Sequence, residues 1–154
     1  MRYIHIYDIA SLTWYMQPTT AESDTFPAGR IEACAVAATA PDKSSYNIYV
    51  HGGYQGTPNN HTLSGGLWIL TLPTFHWIRS HVGLENTNAN PRCTKIHQKL
   101  MLIQQTVWDS NMDDSMELKI VDLVSLEWVT NIGVSGGDLV YQVPKLVSNA
   151  IEGK

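Results

Sequence analysis

Charged residues are scarce in this sequence. Asp, Glu, Lys and Arg make up 16% of its 154 residues, against roughly 25% in an average globular domain. With 10 Lys and Arg and a formal net charge of -4, the chain lacks the basic field that holds a nucleic-acid backbone, so nucleic acid is excluded as a partner. No apolar run approaches the roughly 18 residues of a membrane span, and the first ten residues lack the apolar segment of a signal peptide. We therefore expect a chain that does not itself span a membrane, and its localisation stays open.

Cysteines are also few. Cys34 and Cys93 are the only two, which is too few for a disulfide scaffold, and they lack the CxxC spacing of a zinc site. Hydrophobic residues, at 44%, are near the usual fraction, so the chain is not a disordered tail. These absences leave a globular chain whose organisation has to be found in its repeats.

A tryptophan motif occurs three times. Trp14, Trp77 and Trp128 each end an eight-residue segment that reads apolar, Asp or Thr, apolar, any, Ser or Thr, Leu or Phe, any, Trp. Each segment follows a strand-like stretch, so each predicts a β-hairpin whose turn carries Ser or Thr. The three segments are 7–14 (YDIASLTW), 70–77 (LTLPTFHW) and 121–128 (VDLVSLEW).

Two further sequence features recur at spacings similar to those of the tryptophans. Arg30 and Arg92 are 62 residues apart and each closely follows a proline. The apolar stretch 48–53, which ends in Gly-Gly, is echoed by 100–105 at a spacing of 52. Repeats of about 50 residues with four short strands each are typical of β-propeller blades.

This order of marks resembles the kelch repeat, and the resemblance covers nearly everything from residue 3 to residue 130. More narrowly, 30–34 (RIEAC) and 44–49 (SSYNIY) look like the kelch-repeat proteins of fungal membranes and cell walls. The segment 141–147 (YQVPKLV) looks like the stretch with which propellers of that group end. The resemblance implies an extracellular or cell-surface setting.

The predicted fold class is all-β, a partial kelch-type β-propeller of about two and a half four-stranded antiparallel blades. Residues 1–17 supply strands 3 and 4 of an incomplete blade, and residues 30–81 form a complete blade. Residues 91–131 form a second, degenerate blade, and residues 132–154 form a C-terminal tail. Continuously apolar strands such as 67–72 (LWILTL) support stacked blades, because both of their faces must be covered.

Seven residues are assigned to the structure of the repeat. The tryptophans are interpreted as the large apolar bodies between blades, and the glycines as positions where a neighbour approaches closely. The seven are Arg30, Gly52, Gly53, Trp14, Trp77, Arg92 and Trp128.

The last blade departs from the repeat. Gln105 follows Arg92 by 13 positions, whereas Gly53 follows Arg30 by 23, and Gly-Gly is replaced by Gln104-Gln105. Two and a half blades do not close a ring, for which propellers use about four to eight. We therefore expect either the C-terminal part of a longer propeller or self-association through open blade faces.

Long connections between strands fall on one face of the predicted propeller, and binding sites concentrate on such loops. A non-enzymatic scaffold that binds a protein or a carbohydrate there is the leading hypothesis. Asn60-His61-Thr62 is also a glycosylation sequon on this face. The candidate ligand-binding residues, chosen by position, are Tyr54, Gln55, Thr57, Asn59, Asn60, His61, Asp109, Asn111, Asp113 and Asp114.

Catalytic and metal-binding alternatives are weaker. The resemblance extends to copper radical oxidases similar to galactose oxidase, so the alternative function is a remnant of such an enzyme that lacks its catalytic residues. No catalytic motif, cofactor site or histidine pair at ligand spacing is recognised. The acidic loop 109–117 could chelate Ca²⁺, but its spacing departs from the EF-hand pattern and a solvated loop is favoured.

The two cysteines leave two interpretations open. Both lie at first-strand positions after the repeat arginine, where small buried core residues are expected. In an oxidising compartment they could instead form a disulfide between neighbouring blades.

Overall fold

A computed structural model describes residues 1–57, 60–82, 91–97, 100–108, 114–130 and 140–152. These residues are mostly β-strand, with one short α-helix near the C-terminal end. The elements are β1 Tyr3–Asp8, β2 Thr13–Pro18, β3 Thr20–Ala21, β4 Cys34–Thr39, β5 Tyr46–His51, β6 Tyr54–Thr57, β7 Asn60–Leu63, β8 Leu67–Leu72, β9 His76–Arg79, β10 Arg92–Ile96, β11 Leu100–Trp108, β12 Asp114–Asp122, β13 Glu127–Val129 and α1 Lys145–Glu152.

The strands form three successive sheets and one separate hairpin. The first sheet is the β1–β2 hairpin, the central sheet has the order β3-β9-β8-β5-β4, and the third sheet has the order β10-β11-β12-β13. Apart from the parallel β3–β9 pair, the pairings are antiparallel, as in up-and-down blades. The prediction of an all-β, partial kelch-type propeller is confirmed. The central blade differs from the predicted four strands because the two-residue strand β3 joins its outer edge.

Two apolar cores separate the three sheets. Trp68, Leu70 and Trp77 of the central sheet are buried together with Ile4 of the first sheet packed against them. A larger core joins the central sheet to the third sheet and to the C-terminal segment, with Tyr49 at its centre. Each sheet thus packs against the next one. Because the central sheet is covered on both faces, its strand β8 is apolar on both faces.

The three repeat tryptophans have different surroundings. Trp77 is buried, as the interpretation of an inter-blade layer predicts, whereas Trp14 is 67% and Trp128 is 39% exposed. The predicted role as a filled layer therefore does not hold for Trp14 and holds only in part for Trp128. In the part of the chain that the structure describes, no further sheet covers the face on which Trp14 lies.

The register of the third sheet corrects the sequence alignment of the repeats. Leu70 pairs with Ile48, and its repeat equivalent Val121 pairs with Met101. The equivalent of Ile48 is therefore Met101, at a spacing of 53 rather than the 52 used in the sequence comparison. A one-residue shift moves every side chain of a strand to the opposite face. Met101 and Ile103 consequently point toward Val121 and the central sheet, and both are fully buried.

A disulfide links the first strands of the central and third sheets. Cys34 on β4 is bonded to Cys93 on β10, with 5.5 Å between the two Cα atoms. Nearby, the Lys95 ammonium donates a hydrogen bond of 2.8 Å to the Ala37 carbonyl across the same junction. The open alternative of two free core cysteines is therefore wrong in this structure, and the inter-blade disulfide is present.

The C-terminal segment enters the core between the central and third sheets. The buried Tyr141 hydroxyl lies 2.9 Å from the Tyr49 hydroxyl and accepts a hydrogen bond of 2.9 Å from Asn47. Tyr49 in turn donates to the Leu123 carbonyl at 3.0 Å. Burial raises the pKa of both tyrosines, so both hydroxyls remain protonated. This network ties the segment to both sheets.

We expect Tyr141→Phe to lower the free energy of unfolding by about 1 to 2 kcal/mol, because Asn47 and Tyr49 lose a buried hydrogen-bond partner. Urea unfolding followed by tryptophan fluorescence measures the change. Tyr15→Phe is the matched control, since Tyr15 is exposed on β2. Equal midpoints for Tyr141→Phe and the wild type would contradict the proposed role of the network.

Candidate functional site

The β6–β7 hairpin, here called the finger hairpin, projects from the connection between β5 and β8. Its four pairs run from Tyr54–Leu63 at the base to Thr57–Asn60 near the tip. The segment was predicted to be a loop, and the structure corrects this to two paired strands. Threonine and tyrosine favour extended backbone, and a short connection suits a hairpin.

The base of the finger hairpin is anchored to the segment that precedes β4. The backbones of Ile31 and Tyr54 exchange two hydrogen bonds of 3.0 Å each, and the Ser64 N–H donates to the Gly53 carbonyl at 2.8 Å. Gly53 has a φ of +81°, and a Cβ on it would lie 2.5 Å from the Ile31 carbonyl oxygen. Only glycine fits this crossing of two backbones.

Arginine and proline side chains support the same junction. Arg30 donates hydrogen bonds of 3.2 Å to the carbonyls of Ala28 and Gly52. Desolvation lowers the pKa of its guanidinium. The Pro91 ring lies 2.6 Å from the position that a Cβ on Gly52 would take. The repeat arginine and both glycines thus lie together beneath the finger hairpin.

Tyr54 carries the polar chemistry at the base of the hairpin. Its hydroxyl donates a hydrogen bond of 3.2 Å to a Glu32 carboxylate oxygen on the exposed surface. Desolvation and the adjacent Glu32 carboxylate raise the pKa of the Tyr54 phenol. Glu32 itself has a φ of +55°, a left-handed conformation that is uncommon for a residue with a Cβ. The sequence contained no signal for this pair beyond the position of Tyr54.

A second projection lies at the equivalent connection of the third sheet. β11 and β12 pair over nine positions, from Leu100–Asp122 to Trp108–Asp114. β10 reaches only as far as Gln104, and β13 reaches Ile120. The part beyond these neighbours is therefore a two-stranded extension on the same face as the finger hairpin. Residues 114–116, which belong to the predicted acidic loop 109–117, are strand.

The opposite face, with the short turns, is covered by the chain's own C-terminal segment. A crevice of about 230 Å³ there is lined by Ser44 and Pro73 from two turns and by Ser148 and Ile151 from α1. Because α1 packs over these turns, a ligand has less access to that face than to the face with the two projections.

The structure places only some of the predicted ligand-binding residues. Tyr54 and Gln55 lie on β6 with their side chains described, and Thr57, Asn60, His61 and Asp114 are placed as strand residues by their backbones. Asn59, Asp109, Asn111 and Asp113 lie outside the described residues. Glu117, from the acidic segment, has its carboxylate 3.1 Å from the Lys119 ammonium.

The described residues contain neither a metal-binding cluster nor a membrane-spanning helix. Within residues 1–57, 60–82, 91–97, 100–108, 114–130 and 140–152, no group of three or more His, Cys, Asp or Glu could hold a metal ion. In the same part of the chain, no helix is long and apolar enough to cross a membrane. His51 and His76 are both buried, and His76 lies 2.7 Å from the Thr20 hydroxyl.

Comparison with known proteins gives one informative match. The chain is 28% identical over 176 aligned positions to a kelch repeat-containing protein of Arthroderma benhamiae. The chain is therefore similar to a kelch-repeat protein. The alignment covers 99% of this chain and 26% of the relative, so the chain spans about a quarter of the length of the curated relative that it matches. No protein-family model matches the chain.

The sheet topology agrees with the similarity to a kelch-repeat protein. The third sheet has four antiparallel strands, and the central sheet has four antiparallel strands with β3 added at its edge and Gly52-Gly53 after its second strand. Connections between strands vary more than the strands they join. In the central and third sheets these connections include the finger hairpin and the β11–β12 extension.

Proposed function

We propose that this chain is a kelch-repeat binding module that holds a protein ligand at the finger hairpin and the β11–β12 extension. The observation that carries the proposal is that the finger hairpin is a separate two-stranded sheet. Among the described residues, β6 and β7 pair with each other, and a bridge joins Tyr54 to Ile31. The outer edges of a two-stranded sheet match the requirements of an added strand of a partner protein.

Exposed side chains on the finger hairpin support recognition by a protein. Leu63 is exposed at its base, and Tyr54 presents an aromatic ring whose hydroxyl is held by Glu32. Tyrosine supplies contact area at a low entropic cost, which is why it is common in protein-binding surfaces. A carbohydrate is the second candidate ligand for the same surface.

The setting of this binding is proposed to be an oxidising one, at the cell surface or outside the cell. The Cys34–Cys93 disulfide supports it, because structural disulfides persist in secreted proteins. The glycosylation sequon at Asn60, on the finger hairpin, agrees with the same setting.

Two experiments in parallel test the ligand class. The chain is used to pan a displayed peptide library, and its binding to a glycan array is measured. We expect peptides with extended, apolar-polar alternating sequences to be enriched, and Tyr54→Ala to weaken their binding by about tenfold. Lys145→Ala, on α1 at the opposite face, is the matched control and should bind as the wild type does.

Two outcomes would contradict this function. Enrichment of glycans alone, with the same dependence on Tyr54, would replace the protein ligand by a carbohydrate. Copper-dependent oxidation of an alcohol or aldehyde by the purified chain would replace binding by an oxidase activity.

A further inference from the structure

The three sheets present equivalent residues on equivalent faces. On one face of each sheet, here called the Trp face, the repeat tryptophan pairs across the strands with the residue seven positions before it. The pairs are Tyr7–Trp14, Leu70–Trp77 and Val121–Trp128.

The other face of each sheet, here called the rear face, presents three apolar residues. Their positions follow from the same spacings of 63 and 51 that relate the tryptophans. The three sets are Ile4, Ile6 and Tyr15 in the first sheet, Leu67, Ile69 and Ile78 in the central sheet, and Leu118, Ile120 and Val129 in the third sheet.

The chain makes the same contact twice. Ile4, on the rear face of the first sheet, packs against Leu70 and Trp77 on the Trp face of the central sheet. Leu67, Ile69 and Ile78 on the rear face of the central sheet are buried in one core with Val121 of the third sheet. At both junctions a rear face therefore packs against a Trp face, through Ile4 in the first sheet, where Tyr15 stays 52% exposed, and through all three residues in the central sheet.

Among the described residues, no sheet covers the Trp face of the first sheet or the rear face of the third sheet. On the Trp face of the first sheet, Trp14 is 67% and Tyr7 is 42% exposed, whereas the equivalents of Trp14 are 3% exposed at Trp77 and 39% exposed at Trp128. On the rear face of the third sheet, Leu118 is 58% exposed, whereas the equivalent Leu67 is 1% exposed. Exposed apolar sheet faces of this kind mark association sites.

We propose that a second copy of this chain covers these faces, with the rear face of the third sheet of one copy packed on the Trp face of the first sheet of the other. This contact continues the sheet-to-sheet interface that the chain already forms twice. The Tyr7 and Trp14 rings, whose centroids are 5.0 Å apart, supply the aromatic area at its centre.

The contact is head-to-tail, so its symmetry predicts the assembly. Two different surfaces meet, and such interfaces form rings if the rotation closes and filaments if it does not. Each copy contributes two sheets of four or five strands and the two-stranded β1–β2 sheet. Two copies contribute six sheets, two of them two-stranded, and this number lies within the range of about four to eight blades that closes a propeller. The expected assembly is therefore a closed pair of chains.

Sedimentation velocity over a concentration series tests the proposal with the purified chain. We expect the wild type to have twice the chain mass of 17.2 kDa. Trp14→Glu and Leu118→Glu should each weaken association by about tenfold or more, because each places a charge in both interfaces of the closed pair. Circular dichroism checks that both variants fold, and Ile9→Glu, at an exposed apolar residue in the β1–β2 turn, is the matched control.

Mixing the two variants distinguishes a head-to-tail contact from other modes of association. The Trp14→Glu chain keeps an intact rear face, and the Leu118→Glu chain keeps an intact Trp face. We expect an equimolar mixture to recover a two-chain species held by one unaltered interface. A monomeric wild type at about 100 µM overturns the proposal, and so does a mixture that stays monomeric while the wild type is a dimer. Neither result bears on peptide binding at the finger hairpin.

Discussion

Replacement of both cysteines, in the double variant Cys34→Ala and Cys93→Ala, is expected to lower the free energy of unfolding by about 4 kcal/mol. The disulfide closes a loop whose ends are 59 residues apart, and in the chain-entropy treatment a loop of this length gives about that value. It also fixes β10, a strand of the blade that departs most from the repeat, to β4 of the central blade. Loss of the bond should therefore first loosen the third sheet.

Chemical unfolding of the oxidised wild type, the reduced wild type and the double variant measures this effect. A reducing agent should bring the wild type to the stability of the variant and should leave the variant unchanged, so each protein controls the other. Thiol titration of the unfolded, unreduced wild type should find no free thiol. Two free thiols, or equal stability of all three samples, would contradict the structural role of the bond.

The disulfide shows which part of the molecule the sequence could not specify. Its two cysteines were recognised as first-strand residues of neighbouring blades, and this position allowed either a bond or two small core residues. The choice depends on whether the strands approach closely enough, which is a tertiary distance that spacing along the chain does not contain. The 5.5 Å between the Cα atoms decides it.

The strands of the repeat were largely predictable because their signals are local. The Trp motif, the Gly-Gly pair and the bounds of β8 all follow from short patterns of apolar and turn residues. The register of the third sheet was not predictable in the same way. Leu100, Met101, Leu102 and Ile103 are all apolar, so the pattern does not say which of them faces the central sheet. Pairing with β12 decides this, and it shifts the alignment by one residue.

The sequence predicted the position of the candidate site but not its secondary structure. Long connections between strands were recognised, but their residues were predicted to be loops. In the finger hairpin they are paired strands, with Gln55 opposite Thr62, and the sequence analysis did not predict this pairing. The bond between Tyr54 and Glu32 could not be found from the sequence, since it depends on the crossing of two backbones at Gly53.

The buried His51 should make the free energy of unfolding of the chain depend on pH. His51 is buried on β5, and its Nε2 atom has no hydrogen-bond partner among the described residues. Burial lowers the pKa of its imidazole from 6.5 to about 4. A hydrogen bond with the Gly66 backbone opposes this shift, and the positive charges of Arg30 and Lys119 add to it. The native state therefore holds His51 neutral.

We expect the free energy of unfolding to fall by up to about 3 kcal/mol as the pH decreases from about 7 to 4. Between these values the unfolded chain binds a proton at His51 that the native chain does not bind, so acid favours unfolding. The stabilisation is complete above the unfolded pKa of 6.5 and is lost as the pH falls toward the native value of about 4. Urea unfolding at closely spaced pH values measures the slope.

His51→Gln should remove most of this slope, because glutamine does not titrate, whereas His5→Gln on the exposed face of β1 should keep the wild-type profile. The exposed carboxylates of Asp8, Asp24 and Asp42 have lowered pKa values through their hydrogen bonds, so their contribution is lost at lower pH than that of His51. A stability that is flat from pH 7 to 5 in the wild type would show that the imidazole is protonated in the folded chain. In that case the core between the central and third sheets would have to be more open to water than the burial of His51 indicates.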